Sequence, residues 1–287
     1  MTDVAASLDE IARAVDDSAR RRPAYRPLLE YYGKVFAAQE TARQHIQLPA
    51  PELDETAVAL RQTRGFGLIS LSEFPIDTEV SKALLGELCH ILAASRPEHS
   101  TAAARLADSM AAGDRDPQPL FRAILDAADA PVAVAAGELG LPGEVLSALL
   151  YQSLQPSLRH ASEQMAALSA PDSPGPGGQC PICGSDPAIS VIDDNGKRSL
   201  FCSFCWHRYP VRRVACAHCG DAQDGQHEYL FDPDEAEYRV DVCKICRRYM
   251  KTVDARQLSR PLYPPLEQVA TLHLDMLAKE KGFNQGI

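Results

Sequence analysis

Apolar residues in the first part of the chain recur at the spacing of helix faces. Leu8, Ile11 and Val15 fall on one face, directly after a serine and a glutamate placed as in a capping box, Ser7 and Glu10. In such a box the serine side chain accepts from a free N–H group of the first turn while the glutamate reaches back. The pattern predicts that a helix begins at this point.

The same periodicity continues to about residue 170. Residues 23–48 carry Leu28, Tyr32, Val35 and Phe36 at helical spacing. Further helices are predicted at 52–63, 77–95, 100–112, 117–129 and 142–168. Proline and glycine mark the breaks between them, as in GDRDPQP and GLPGE. Residues 1–170 are therefore predicted to form an all-α domain.

Two features of this domain are better explained by structure than by chemistry. Cys89 lies among apolar residues in KALLGELCHILAAS and is interpreted as a buried, inert thiol, because an adjacent helical residue such as His90 does not face it. RGFGLISL, residues 64–71, has two glycines but lacks the full glycine fingerprint of a dinucleotide site, so it is interpreted as a turn.

The pattern changes after SAPDSPGPGGQ, residues 169–179, where the density of proline and glycine predicts a linker over 171–179. Short alternating runs follow, such as AISVID, RSLFC and EYRVDVC, and these predict small hairpins in two modules, 180–210 and 211–262. Residues 263–287 return to a helical pattern. Leu266, Val269, Leu272 and Met276 share a broad face there, and Gly282 fits as the cap.

The two hairpin modules contain eight of the nine cysteines of the chain, arranged as four Cys-x-x-Cys pairs. The eight are Cys180, Cys183, Cys202, Cys205, Cys216, Cys219, Cys243 and Cys246. Two intervening residues let one tight turn direct both sulfurs at a single ion, and a second turn must complete the tetrahedron. The 18-residue gap between the first two pairs fits a returning hairpin, and the 23-residue gap between the last two fits a longer one.

Sequential pairing is therefore favoured, with the first four cysteines at one metal ion and the last four at another. An interleaved cross-brace stays open, as does the alternative of reduced structural thiols or redox pairs. Four thiolates suit either zinc or iron, and the ligand set alone does not separate them. Gly184 and Gly220 each follow the first turn of a module, where they allow backbone N–H groups to turn towards the sulfurs.

Other polar residues of the modules are assigned supporting positions. His207, His218 and His227 are interpreted as surface or loop residues, since four sulfurs already complete each site. Nearby bases are expected to offset thiolate charge at least as much as to bind a partner: Arg212, Arg213, Lys244, Arg247 and Arg248. A site closed by four protein ligands has no position for a water or a substrate, which argues against metal-centred hydrolysis.

Composition excludes some classes of function. Residues 176–287 carry 14 Lys and Arg against 15 Asp and Glu, and the whole chain has a formal charge of -10, so the basic field of a nucleic-acid binder is lacking. The acidic start and the lack of a long apolar stretch give no sign of export or membrane insertion. We therefore expect a folded cytoplasmic protein, in which clustered cysteines are more often metal ligands than disulfides.

The array CPICGSDP, GKRSLFCSFC, VRRVACAHCG and DVCKICRRYMKTVD, followed by LHLDMLAKEKGF, resembles the C-terminal half of the formate dehydrogenase accessory protein FdhE. The likeness extends more weakly to RPLLEYYGKVFAAQE and QPSLRHASEQMA. One departure is that the family tends to have a Trp-His pair where this chain has Tyr209 and Pro210, with Trp206 and His207 directly after Cys205.

The resemblance implies a helical domain, two rubredoxin-like or zinc-ribbon metal modules holding two ions of iron or zinc through the eight cysteines, and a terminal helix. It also implies a cytoplasmic maturation factor that is not itself an enzyme and that binds the catalytic subunit of a molybdenum-dependent formate dehydrogenase. Two alternatives stay open: a zinc-ribbon nucleic-acid binder, and a rubredoxin-like protein of redox chemistry or electron transfer. The sequence gives no oligomeric state.

Overall fold

A computed structural model describes residues 6–168 and 178–285 of the chain. The helices are α1 Leu8–Arg21, α2 Arg26–Arg43, α3 Glu55–Thr63, α4 Thr78–Ser95, α5 Ser100–Ala111, α6 Gln118–Leu125, α7 Asp129–Leu139, α8 Gly143–Leu168, α9 Pro264–Ala270 and α10 Leu272–Glu280. The strands are β1 Pro187–Ile192, β2 Arg198–Cys202, β3 Arg208–Pro210, β4 His227–Leu230, β5 Tyr238–Cys243 and β6 Tyr249–Asp254. Helices thus precede a strand-rich region that ends in helix, as predicted.

The chain divides into two compact units. The helical unit comprises Glu30–Pro51 and Ser70–Ala161. The sheet unit comprises Met1–Leu29, Glu52–Ile69 and Ser162–Ile287. The sheet unit therefore contains the six strands together with helical segments from the first part of the chain.

Helix α1 begins with the predicted capping box. The Glu10 N–H donates to Ser7 Oγ at 3.2 Å, and the Ser7 N–H donates to Glu10 Oε2 at 2.8 Å. The buried face is centred on Ile11, Ala14 and Ser18, whereas Leu8 is 45% exposed. The start of the helix is confirmed, but its apolar stripe is one turn shorter than the sequence suggested.

The helical unit has one more helix than the sequence pattern indicated. The segment predicted as one helix over 117–129 ends at Leu125, and α7 follows after a break in which Ala127 adopts a φ of 52°. Small apolar residues cover several sides of α7, so it lacks the amphipathic pattern by which the other helices were recognised. Its end is conventional, because Gly140 adopts the left-handed conformation.

No single helix of the described ranges is long and apolar enough to span a membrane. Only the pair Asp129–Leu139 and Gly143–Ala167, bent by 112° at its break, reaches that length and composition together.

The strands form one six-stranded sheet in the order β3-β2-β1-β6-β5-β4. Each half is an antiparallel meander, β1 with β2 and β3, and β4 with β5 and β6. A parallel pairing of β1 with β6, Ser190 opposite Thr252 and Val191 opposite Val253, joins the halves. Both strands are buried along almost their whole length, so the centre of the sheet is part of the core.

The terminal helix is broken at Thr271, whose side chain donates to the Glu267 carbonyl at 2.6 Å. The break changes the phase of the buried face, so Leu266 and Leu274 are buried while Leu272 and Met276 are 40% and 61% exposed. The predicted single face is therefore wrong beyond residue 270.

The C-terminal cap is confirmed. Gly282 has a φ of 79°, and its N–H donates to the Lys279 carbonyl at 2.9 Å. The left-handed residue follows the last turn of α10, as a terminal glycine cap requires.

The predicted linker, residues 171–179, lies outside the described residues except for Gly178 and Gln179. The residue limits given above for the domains and modules stay predictions. The two cysteine modules do not have separate sheets, however, since β1 and β6 join them.

Candidate metal centres

The four Cys-x-x-Cys turns, here called knuckles, share one backbone conformation. In each, the residue directly after the second cysteine is left-handed. These residues are Gly184, Trp206, Gly220 and Arg247, with φ values of 76°, 56°, 72° and 60°. Glycine adopts this conformation without steric cost, so the second and fourth knuckles accept a strain that the first and third avoid.

A repeated hydrogen bond closes each knuckle. The N–H of the first cysteine donates to the carbonyl five residues later. The pairs are Cys180 with Ser185 at 2.9 Å, Cys202 with His207 at 3.0 Å, Cys216 with Asp221 at 2.7 Å and Cys243 with Arg248 at 3.0 Å. This closure holds both cysteines of a pair on the same side of the turn. The repetition supports the interpretation of the region as two copies of one module.

The hairpins bring the knuckles together in sequential order. Strand β1 follows the first knuckle and β2 leads into the second, and the register places Pro187 opposite Cys202. In the other half β5 leads into the fourth knuckle, which lies beside the third. The cross-brace arrangement is not the one that the fold adopts.

The sulfur atoms of each group lie within 4.8 Å of one another. In the first group the Sγ distances are 3.4 Å for Cys183 to Cys202 and 3.7 Å for Cys180 to Cys205. In the second they are 3.6 Å for Cys216 to Cys246 and 3.8 Å for Cys219 to Cys243. A tetrahedral ion with metal–sulfur bonds of about 2.3 Å separates its sulfurs by about 3.8 Å. Both groups could therefore hold a metal ion.

The chemistry of the donor atoms also fits a cation. Burial raises the pKa of the Cys180 and Cys205 thiols well above their ordinary value. Burial likewise raises the pKa of Cys246, to about 11. Four adjacent thiols in such surroundings ionise together only if a positive charge accompanies them.

Backbone N–H groups stabilise negative sulfur in both groups. The N–H groups of Phe204 and Cys205 donate to Cys202 Sγ at 3.3 and 3.5 Å, and that of His218 donates to Cys216 Sγ at 3.4 Å. Gly184 and Gly220 use their N–H groups differently, since they donate to the carbonyls of Cys180 and Cys216. Hydrogen bonds of this kind orient thiolate ligands.

The first group is enclosed by a segment from the N-terminal part of the sheet unit. The N–H groups of Leu68 and Ile69 donate to the carbonyls of Pro181 and Ile182, each at 3.0 Å. Gly67 lies against the same knuckle, where a Cβ atom would be 2.6 Å from the Cys183 carbonyl carbon. All four cysteines of the group are buried. Residues 64–69 thus contain the predicted turn and also cover the first sulfur group.

The second group has no such cover over all its sulfurs. Cys216 and Cys243 are buried, but Cys246 is half-buried and Cys219 is exposed. The two groups therefore share ligand geometry and differ in solvent access.

Histidines near the sulfurs are engaged elsewhere. Nε2 of His218 donates to the Tyr249 carbonyl at 2.9 Å, and His227 Nε2 lies 3.2 Å from Asp221 Oδ2. His207 stacks on Tyr209, and burial lowers its pKa to about 4. His218 lies in a knuckle turn but is only 6% exposed, so it is far less accessible than a surface histidine.

The bases expected to offset thiolate charge are paired with carboxylates in two cases. Lys244 Nζ lies 2.5 Å from Glu228, and Arg248 lies 2.5 Å from Asp186. Arg247 stacks 4.5 Å from the Phe283 ring centroid and donates to the Gly282 carbonyl at 3.1 Å. Arg247 and Arg248 thus fix the chain after the fourth knuckle.

Family models match this region of the chain. Residues 179–213 match the description "FdhE, central domain", and residues 214–286 match "FdhE, C-terminal domain". Residues 179–286, here called the FdhE region, are therefore similar to the central and C-terminal domains of the FdhE family. The FdhE region includes all eight cysteines of the two groups.

Curated relatives match over the same length. The chain is 35% identical over 108 residues to a protein named "Protein FdhE homolog" from Aquifex aeolicus, which is 36% of this chain and 38% of that protein. It is 37% identical over 108 residues to a protein of the same name from Shewanella oneidensis, 36% of this chain and 35% of that one. The match therefore spans little more than a third of these relatives.

A solved structure resembles the chain over nearly its whole length. The crystal structure of the FdhE protein from Pseudomonas aeruginosa matches with a TM-score of 0.66 and 21% identity, covering 98% of this chain and 95% of that one. At this identity the likeness concerns the fold. It supports the predicted order of a helical part, a strand-rich region and a terminal helix, and the two four-cysteine groups lie in the strand-rich region of this chain.

Sequence reasoning missed two features of these centres. Gly67 was recognised only as part of a turn, although its two-glycine context was the available signal. The left-handed Trp206 and Arg247 carried no signal, because neither residue type is associated with that conformation.

Proposed function

We propose that this chain is a cytoplasmic maturation factor that binds the catalytic subunit of a molybdenum-dependent formate dehydrogenase and enables its activation. The match of residues 179–286 to FdhE domains and the two four-cysteine groups support an accessory role of the FdhE type. The client, its molybdenum dependence and the absence of catalysis in the chain itself belong to the same proposal.

One observation carries the proposal. The region that matches the central and C-terminal FdhE domains is the region in which the eight cysteines gather into two groups of four. The eight residues are proposed as the ligands of two ions, iron or zinc.

The geometry favours docking over catalysis. When bound, an ion would offset part of the thiolate charge and cross-link the two knuckles in each half of the sheet. Four sulfurs leave no open position for substrate. The shared sheet then presents a rigid surface, as a protein that holds an immature subunit requires.

The test is recovery of the client. The tagged full chain is expressed in its own host with formate dehydrogenase induced, and the eluate is analysed for the catalytic subunit and for metal. We expect the subunit together with about two ions of iron or zinc per chain, one for each tetrathiolate group.

Matched variants make the test specific. Cys180→Ser with Cys243→Ser removes one ligand from each group and is expected to lose both metal and subunit. Cys89→Ala changes the cysteine of α4, which belongs to neither group, and this variant is expected to retain both metal and subunit. A metal-loaded chain that fails to recover the subunit would contradict the proposed client, and a fully metallated double variant would contradict the ligand assignment.

A further inference from the structure

Strand β4 lies at one edge of the six-stranded sheet. Its pairing with β5 places His227 opposite Cys243 and Tyr229 opposite Asp241. The Lys244 N–H donates to the Gln226 carbonyl at 2.9 Å, so the hydrogen-bonded pairs with β5 are those of the even-numbered residues. The N–H and C=O groups of His227 and Tyr229 therefore face away from the sheet.

This edge also has a row of exposed apolar side chains. Tyr229 lies on β4 and Phe231 directly follows its last residue, Leu230, and the two side chains are 48% and 61% exposed. Val214, 61% exposed, lines the same small cleft as Tyr229. The Arg239 guanidinium lies 4.5 Å from the Tyr229 ring centroid, which holds the ring in place. Exposed apolar side chains beside outward-facing backbone N–H and C=O groups are typical of a sheet edge to which another strand can dock.

The chain segments that precede and follow β4 are acidic. Residues 221–237 contain seven Asp or Glu and no Lys or Arg. Asp224 precedes β4, Asp232 and Asp234 follow it, and all three are exposed. Glu228, within the strand, pairs with Lys244. A partner that pairs with β4 therefore meets negative charge beyond both ends of the strand.

We propose that β4 pairs with an extended segment of a partner protein that alternates apolar and small residues and carries Lys or Arg at its ends. A second copy of this chain is a poorer occupant, because pairing β4 with itself brings the acidic ends of two edges close together. The inference rests on the proposed function only for the partner's identity, since the segment would belong to the client subunit.

Synthetic peptides test the surface without knowledge of the client. The probe is a fluorescent ten-residue peptide of alternating Val and Thr with Lys at both ends, titrated into the metal-loaded full chain and followed by anisotropy. The same peptide with Glu at both ends is expected to bind at least about tenfold more weakly, because it meets like charge. Raising the salt concentration is expected to narrow that difference.

N-methylation distinguishes strand pairing from simple apolar contact. Two peptides are N-methylated at complementary alternate positions. Only one set of amides in a docked strand faces β4, so one peptide is expected to bind and the other to fail. Equal binding by both would overturn the proposal.

Variants locate the site. Tyr229→Ser with Phe231→Ser is expected to weaken binding by about tenfold or more, since buried aromatic anchors dominate such interfaces. Asp232→Asn with Asp234→Asn is expected to weaken binding and reduce its salt dependence. Val134→Ser is the control, because Val134 is 65% exposed but lies on α7 in the helical unit.

The outcomes separate this inference from the proposed function. Recovery of the formate dehydrogenase subunit by the Tyr229→Ser, Phe231→Ser variant, with no peptide binding by the unmodified chain, would overturn the edge-strand proposal and leave the client intact. Peptide binding that depends on Tyr229 and Phe231, without recovery of that subunit, would support the edge and contradict the client. Concentration-dependent dimers lost in the same variant would assign the edge to a second copy and overturn the proposal.

Discussion

A Cβ atom on Gly67 would lie 2.6 Å from the carbonyl carbon of Cys183, a distance that a real Cβ does not adopt. The obstruction is backbone, including the Gly184 nitrogen, so no side-chain rotation relieves it. The hydrogen bonds of Leu68 and Ile69 to the same knuckle depend on this close approach. The enclosure of the first sulfur group therefore requires a residue without a Cβ atom at position 67.

Gly67→Ala is predicted to separate residues 64–69 from the first knuckle. We expect a loss of about 1–3 kcal/mol in the free energy of unfolding, because overpacking against backbone forces both segments to shift. Thermal unfolding of the metal-loaded chain and the rate of metal loss check this. The control is Gly86→Ala in α4, where a Cβ meets no atom within 4 Å and helix propensity favours alanine. Equal stability of the two variants would contradict the role of Gly67.

The sequence predicted those parts of the fold in which a local pattern decides the conformation. The capping box of Ser7 and Glu10, the cap at Gly282 and the sequential grouping of sulfurs all depend on residues close together in the chain. The parallel pairing of β1 with β6 and the position of Gly67 over Cys183 depend on residues far apart. Helix α7 was missed for a different reason, since small residues on several sides leave no periodic signal.

The difference in solvent access between the two sulfur groups predicts unequal release of metal. Cys219 is exposed and Cys246 half-buried, whereas the first group is buried throughout. A chelator added to the chain loaded with two zinc ions is expected to remove one equivalent at least about tenfold faster than the other, because attack requires an accessible ligand or ion. A coloured zinc indicator followed over time would measure the two phases.

Single-ligand variants assign the phases. Cys219→Ser is expected to abolish the fast phase and leave the slow one, and Cys183→Ser is expected to do the reverse. A single release rate for both ions in the unmodified chain would contradict the proposed asymmetry.

The left-handed conformation of Arg247 predicts an unusual order of stabilities. Glycine adopts a φ of 60° without steric cost, whereas alanine in this conformation destabilises the folded state by about 1 kcal/mol. Both substitutions lose the stacking on Phe283 and the hydrogen bond to the Gly282 carbonyl. Arg247→Gly is therefore expected to be more stable than Arg247→Ala by about 1 kcal/mol. Urea unfolding of the metal-loaded variants measures the difference.

Lys244, in the same knuckle, supplies the control. It is not among the residues of positive φ, so glycine has no advantage there and Lys244→Ala is expected to be the more stable variant. If alanine were the more stable substitution at both positions, the left-handed conformation of Arg247 would carry no steric cost for a residue with a Cβ atom.

The buried thiol of Cys89 predicts a pH dependence of stability in the alkaline range. Burial raises its pKa to about 12, whereas an unfolded thiol titrates at about 8.5. Between these values the unfolded chain binds fewer protons than the native chain, so this thiol makes stability fall as the pH rises. Its contribution is fully present below the unfolded pKa and declines by up to about 1.4 kcal/mol per pH unit above it.

Comparison with Cys89→Ala isolates this contribution from the tyrosines and lysines that titrate in the same range. The variant is expected to be less stable than the unmodified chain at pH 7, because alanine leaves space in the core around α4. The difference in the free energy of unfolding between the two chains should narrow between pH 9 and pH 10.5. Only the unmodified chain loses stability through this thiol, since alanine has no proton to lose. Urea unfolding followed by circular dichroism at pH 7, 8, 9 and 10 measures the gap. A gap that stays constant with pH would place the Cys89 thiol in contact with water or with a cation, contrary to its burial in α4.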